Sequence, residues 1–234
     1  MLNPQAPEQH EIDILVSLFQ QGRYAEAETI ARSLTERYPE NGFGWKALGA
    51  FFNLQGRTAE SLEPLQKAVA LLPWDAEAHS NLGVTLKALA RREESVVSHY
   101  RALEIRPDFA AAHNNLGNTL NDLGRLMEAE ASHRRALEIK LDFAEAYSSL
   151  GNTLKKKGCL AEAEDCCRRA LNIKPDNVDA LLTCGNILKE WDKPKEAEIC
   201  YRKALIHKPD YNEAYYNLGA VSYTHLTLPT IYSV

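Results

Sequence analysis

Apolar and small residues recur along this chain in stripes of helical spacing, and the stripes come in pairs. Between residues 110 and 143, Ala112, Leu116, Gly117 and Leu120 share one stripe, which predicts a helix from about Ala110 to Leu123. Gly124 then ends it, since glycine takes the left-handed cap conformation at no steric cost. A second stripe of Leu126, Ala129, Ala136, Leu137 and Ile139 predicts a helix from about Met127 to Lys140.

The same layout returns every 34 residues. Gly49, Gly83, Gly117, Gly151, Gly185 and Gly219 form one column, and Ala68, Ala102, Ala136, Ala170 and Ala204 another. Leu48, Leu82, Leu116, Leu150 and Leu218 form a third, with Cys184 in the missing place. Pro39, Pro73, Pro107, Pro175 and Pro209 form a fourth, broken by Leu141. Proline disfavours helix in the residue before it and so closes most units. A small residue at Gly117 and Ala129 lets the two helices of a unit approach, and Ala136 is expected to meet the next unit.

A single helical hairpin cannot bury its own apolar faces, so the expected fold is an all-α solenoid of antiparallel helix pairs, stabilised by nearest neighbours. Residues 1–7 are read as a tail and 8–41 as a divergent first unit that matches the pattern from Gly22 onward. Complete units follow at 42–75, 76–109, 110–143, 144–177 and 178–211, then a truncated seventh at 212–220. In the sixth unit Asp192 replaces the turn glycine, and Pro194 begins the second helix, where its missing N–H would be unbonded anyway.

Residues 221–234 leave the register. The run "SYTHLTLPTIYSV" has no Asp, Glu, Lys or Arg, no helical stripe and a central Pro229. It is expected not to complete a seventh first helix. It resembles translated sequencing-adapter read-through at the ends of metagenome-derived reading frames, so the tail is expected to be an assembly artefact and the natural protein to continue past Ala220.

Composition narrows the function. Acids outnumber bases, 32 to 27, for a formal charge of −5, the wrong sign for a phosphate-neutralising surface, so no nucleic-acid partner is expected. The polar start has no Lys or Arg, and no apolar run nears the roughly 20 residues that cross a bilayer. A cytoplasmic chain with no membrane partner is expected. The five cysteines (Cys159, Cys166, Cys167, Cys184 and Cys200) are odd in number without a CxxC pair, which reads as free thiols.

The unit "AEAYSSLGNTLKKKGCLAEAEDCCRRALNIKPDN" resembles the tetratricopeptide repeat, in its bacterial type, and the resemblance runs from Glu8 to about Ala220. It implies a right-handed superhelix whose first helices line a concave groove. Two asparagine columns occupy those first helices. Asn81, Asn115 and Asn217 share one, with Ser149 and Thr183 between them, and Asn118, Asn152 and Asn186 share the other. Residues three apart lie on one helix face. A side-chain amide both donates and accepts, so such a ladder suits an extended peptide's backbone. It resembles the ladder of O-linked N-acetylglucosamine transferases, although Ala47, Ala50 and Val84 interrupt it early. A cationic clamp for a terminal carboxylate is not supported, because Asn114, Asn118, Ser149, Asp179 and Thr183 stand at the corresponding positions.

No other constellation suggests chemistry. His79, His113, His99 and His133 repeat at the unit period; equivalent positions lie roughly 10 Å apart, too far to share a metal, and these rings are expected to pack between helices. Arg101 with Glu104 and Arg135 with Glu138 read as solvated pairs, and Cys159 as the exposed thiol. Neither metal nor cofactor is expected. The expected role is a non-catalytic scaffold that binds a protein or extended peptide through Asn81, Asn115, Asn118, Asn152, Asn186 and Asn217. An alternative is the acceptor-presenting arm of a larger glycosyltransferase or sulfotransferase, and self-association is a further reading.

Overall fold

The computed structural model describes residues 6–227, and every regular element among them is helical. The chain divides into two compact units, residues up to Thr119 and residues from Leu120. The first holds α1 (Gln9–Gln20), α2 (Tyr24–Arg37), α3 (Gly42–Leu54), α4 (Thr58–Leu71), α5 (Ala76–Ala88), α6 (Arg92–Ile105) and most of α7 (Ala110–Asp122). The second holds α8 (Leu126–Ile139), α9 (Ala144–Lys156), α10 (Leu160–Ile173), α11 (Val178–Glu190), α12 (Pro194–His207) and α13 (Asn212–Thr227).

Within each unit the helices pack in chain order as successive pairs, an all-α solenoid arrangement. Ala68, Ala102, Ala136, Ala170 and Ala204 are all fully buried, which explains their column: the space between helices admits only a methyl group. Ala136 joins a core with Ala146 and Leu150 of the following pair. The glycine column is steric too. A β-carbon on Gly49 would stand 2.4 Å from Leu65, on Gly83 2.6 Å from the His99 ring, and on Gly151 2.8 Å from Cys167 Sγ. Each partner lies sixteen residues on, in the second helix of the same pair.

The turns repeat as well. Gly22, Gly56, Gly124 and Gly158 have φ between 71° and 81°, and Asp192 takes the same left-handed turn at 56°. Ala90 does so at 60°, at the register position that Gly56 and Gly124 hold one unit before and after it. Trp45 Nε1 donates to the Pro39 carbonyl at 2.9 Å, and His79 and His113 bring Nε2 to 3.1 and 2.9 Å from the Pro73 and Pro107 carbonyls. These two histidines therefore close the inter-pair turns, contrary to the expectation that they pack between helices. His99 and His133 are fully buried, as expected.

The last helix corrects the reading of the chain end. α13 runs on to Thr227; a helix already started in register by "NEAYYNLGA" extends at little cost, whereas starting one is the expensive step. Residues 228–234, including Pro229, lie outside the described residues.

Candidate functional site

First helices touch one another in succession: α3 meets α5, α9 meets α11, and α11 meets α13. Among the described residues no such contact joins α4 to α6 or α10 to α12. The first-helix side is therefore the tighter, inner side of each unit, and the asparagine columns lie on it.

Their side chains fall into two states. Asn81, Asn115, Asn118 and Asn152 are half-buried, and none of these four side-chain amides bonds to another described residue. The backbone carbonyl of Asn115 meanwhile accepts from the Thr119 hydroxyl. Asn186 and Asn217 differ. Asn217 Nδ2 donates to Asn186 Oδ1 at 3.1 Å, and the Tyr201 hydroxyl donates to the same oxygen at 2.8 Å. Lys189 Nζ donates to Asn217 Oδ1 at 3.4 Å. The two columns thus come within direct reach of each other across neighbouring first helices.

A further polar file escapes a reading based on asparagine alone. Thr85, Thr119 and Thr153 recur at the repeat period and are fully buried. The Thr85 hydroxyl donates to Asn53 Oδ1 at 2.9 Å, and Asn121 Nδ2 donates to Thr153 Oγ1 at 3.0 Å. Ser61 and Ser95 add hydroxyl contacts of 3.0 and 3.2 Å to Thr85 and Thr119. These bonds join one helix pair to the next from inside, and the threonine spacing was the signal for them.

Most ion pairs join residues three or four apart on one helix, and a smaller set ties one repeat to the next. Arg57 donates to Glu60 at 2.6 Å within its own pair and to Glu28 of the preceding pair at 2.8 Å. Lys157 and Arg134 both engage Glu130, whose carboxyl is held below the usual range, chiefly by the Lys157 hydrogen bond. Burial pushes the Asp75 carboxyl up, but Lys46 and the Ala78 and Glu77 backbone N–H groups outweigh it and leave it lowered. Arg101 with Glu104 and Arg135 with Glu138 form the expected exposed pairs, both at 2.8 Å.

Cys159 is exposed, and burial pushes the Cys166 and Cys167 thiols up to about 11 and about 12. Such thiols pack as small apolar groups. Among the described residues no cluster of three or more His, Cys, Asp or Glu could hold a metal, and no helix is long and apolar enough to cross a membrane.

Comparison with known proteins matches this architecture. Models described as tetratricopeptide repeat match residues 13–76, 100–131 and 144–177, and one described as TPR repeat matches 117–158. No curated protein matches in sequence. Among solved structures, the Cut9–Hcn1 hetero-tetramer of the APC/C aligns with a TM-score of 0.82 at 14% identity over 90% of this chain. The chain spans 42% of the length of that relative. PilW, a widely conserved type IV pilus biogenesis factor, aligns at 0.77 and 21% identity, covering 92% of this chain and all of its own. YrrB, reported as a TPR protein with an unusual peptide-binding site, aligns at 0.57 and 20% identity over 80% of this chain and 96% of its own.

Proposed function

We propose a binding function for this chain, which belongs to the tetratricopeptide-repeat family: it is a scaffold that holds an extended peptide along its first helices and performs no chemistry with its own residues. One observation carries the reading. Asn81, Asn115 and Asn118 in the first compact unit, and Asn152 in the second, keep half-buried amides without a partner among the described residues. Amides that reach solvent on the first-helix side and are not taken up by the fold are suited to a visiting donor and acceptor.

Asn81, Asn115 and Asn118 would bond the peptide's N–H and C=O groups and leave its side chains largely unread. Helices that are already packed lose little ordering entropy on association, which favours binding. Asn186 and Asn217 are assigned a supporting role, because their amides are bonded to each other and to Tyr201 and Lys189. The peptide-binding site reported for YrrB supports a peptide as the ligand class.

Selecting a random dodecapeptide library on the purified chain tests the proposal. Backbone N-methylation of a selected peptide at successive positions should weaken binding at several of them, while most single alanine substitutions in that peptide are tolerated. Binding that depends on particular side chains and ignores N-methylation contradicts it.

A further inference from the structure

At Ala47 and Ala50 the asparagine columns give way to methyl groups, and the inner face there is hollow. A cavity of about 260 Å³ lies between α1, α3 and α5, walled by Val16, Phe19, Phe43, Ala47, Ala50 and Phe51, with Asn81 at its edge. Val16 and Phe19 keep 44% and 41% of their surface exposed. Apolar surface gathered around a concavity in this way marks a place where something apolar sits.

The charges at the rim are already neutralised. Lys46 Nζ lies 2.6 Å from Asp75 and 3.5 Å from Glu77, and Arg106 is 3.3 Å from Glu77. A charged side chain entering the hollow would lose its hydration and find no free counter-charge. An apolar one gains by burial, and an apolar cavity of roughly 150 Å³ already suffices for benzene.

Resting on the reading of this face as a peptide groove, we propose that the cavity between α1, α3 and α5 receives one bulky apolar side chain, leucine to phenylalanine in size, from the peptide whose backbone Asn81 holds. The alanines that interrupt the ladder then have a purpose: they trade backbone recognition for one side-chain anchor, so the groove reads a single apolar residue within an otherwise unread segment.

Two synthetic peptides, acetyl-GSGFGSG-amide and acetyl-GSGAGSG-amide, titrated to several millimolar against the ¹⁵N-labelled full chain, test this. The phenylalanine peptide should bind about tenfold more tightly or better and shift the resonances of Val16, Ala47, Ala50 and Phe51. Ala50→Phe, which fills the hollow, should bring its affinity down to that of the alanine peptide. Val16→Glu, at a half-exposed position, should do the same and serves if the first variant folds poorly. Equal binding of the two peptides, no binding of the phenylalanine peptide, or a preference that survives both substitutions overturns the inference. So does concentration-dependent self-association lost in Val16→Glu, which would assign the hollow to a second copy of the chain. Asn81→Ala with Asn115→Ala and Asn118→Ala should weaken both peptides alike. Equal peptides weakened by that variant remove the pocket and keep the groove; a phenylalanine preference untouched by it keeps the pocket and removes the groove.

Discussion

The ring of Tyr201 occupies the space a side chain on Gly185 would need: a β-carbon there would stand 2.5 Å from Cε1. The ring is fully buried, and its hydroxyl donates to Asn186, the residue next to that glycine. One contact therefore sets both the spacing of α11 and α12 and the position of an inner-face amide. Gly185→Ala should lower stability by about 1–3 kcal/mol, because overpacking outweighs the gain in helix propensity. Gly219, in the same column, has nothing within 4 Å of its β-position among the described residues, so Gly219→Ala should be neutral or stabilising by up to about 1 kcal/mol. Urea unfolding of both variants checks the contrast, and equal losses would deny the steric role.

His99 makes stability sensitive to acid. Burial pushes its imidazole down to about 4, with Lys87 adding to the effect, and neither ring nitrogen has a hydrogen-bond partner among the described residues. The unfolded chain takes up this proton near pH 6.5, whereas the folded chain resists it until about pH 4. Stability is therefore fully present above pH 6.5 and falls as pH drops from 6.5 towards 4, by roughly 3 kcal/mol over the whole window. His99→Leu should flatten the dependence between pH 7 and 5, since Leu65 fills the equivalent notch at Gly49. Identical melting temperature against pH curves for variant and parent would contradict this.

Turn strain gives a third test. Ala90 and Asp192 carry side chains at φ of 60° and 56°, a region where a β-carbon crowds the backbone. Ala90→Gly should stabilise by up to about 1 kcal/mol, with a smaller gain for Asp192→Gly because Asp tolerates the conformation better. Gly56→Ala should cost a similar amount in the opposite direction. Thermal melts of the three variants decide it, and a loss of stability in Ala90→Gly would refute the strain argument.

Repeat register made the pairing of helices legible, because glycine and alanine at tight contacts leave no chemical alternative. The partners across the glycine notch were not legible as a column: Leu65, His99, Cys167 and Tyr201 fill equivalent places with different chemistry, since the notch constrains shape and nothing else. The asparagine columns could be read, but their state could not. Whether an amide is open, as at Asn152, or bonded, as at Asn186, depends on what Tyr201 and Asn217 bring from other helices. His79 and His113 were misjudged because their role is set by a carbonyl six residues back, a contact that apolar periodicity does not report. The continuation of α13 to Thr227 is not legible because the run after Ala220 lacks a stripe, although it holds no glycine or proline up to Thr227 to stop a helix already under way.

The division of the amides into open and structural predicts opposite phenotypes. Asn186→Ala removes the acceptor shared by Tyr201 and Asn217 and should lower stability by about 1–2 kcal/mol. Asn152→Ala removes no internal bond and should leave the melting temperature within about 2 °C. A large loss in Asn152→Ala, or none in Asn186→Ala, would erase the distinction.

The most direct measurement is calorimetric titration of a library-selected peptide into the chain and into its Asn81→Ala, Asn115→Ala, Asn118→Ala variant, with thermal melts of both. Affinity should fall tenfold or more, about 1.4 kcal/mol, while the melting temperature stays put. Unchanged affinity, or a variant that loses stability along with binding, would show that these amides serve the fold and not a ligand.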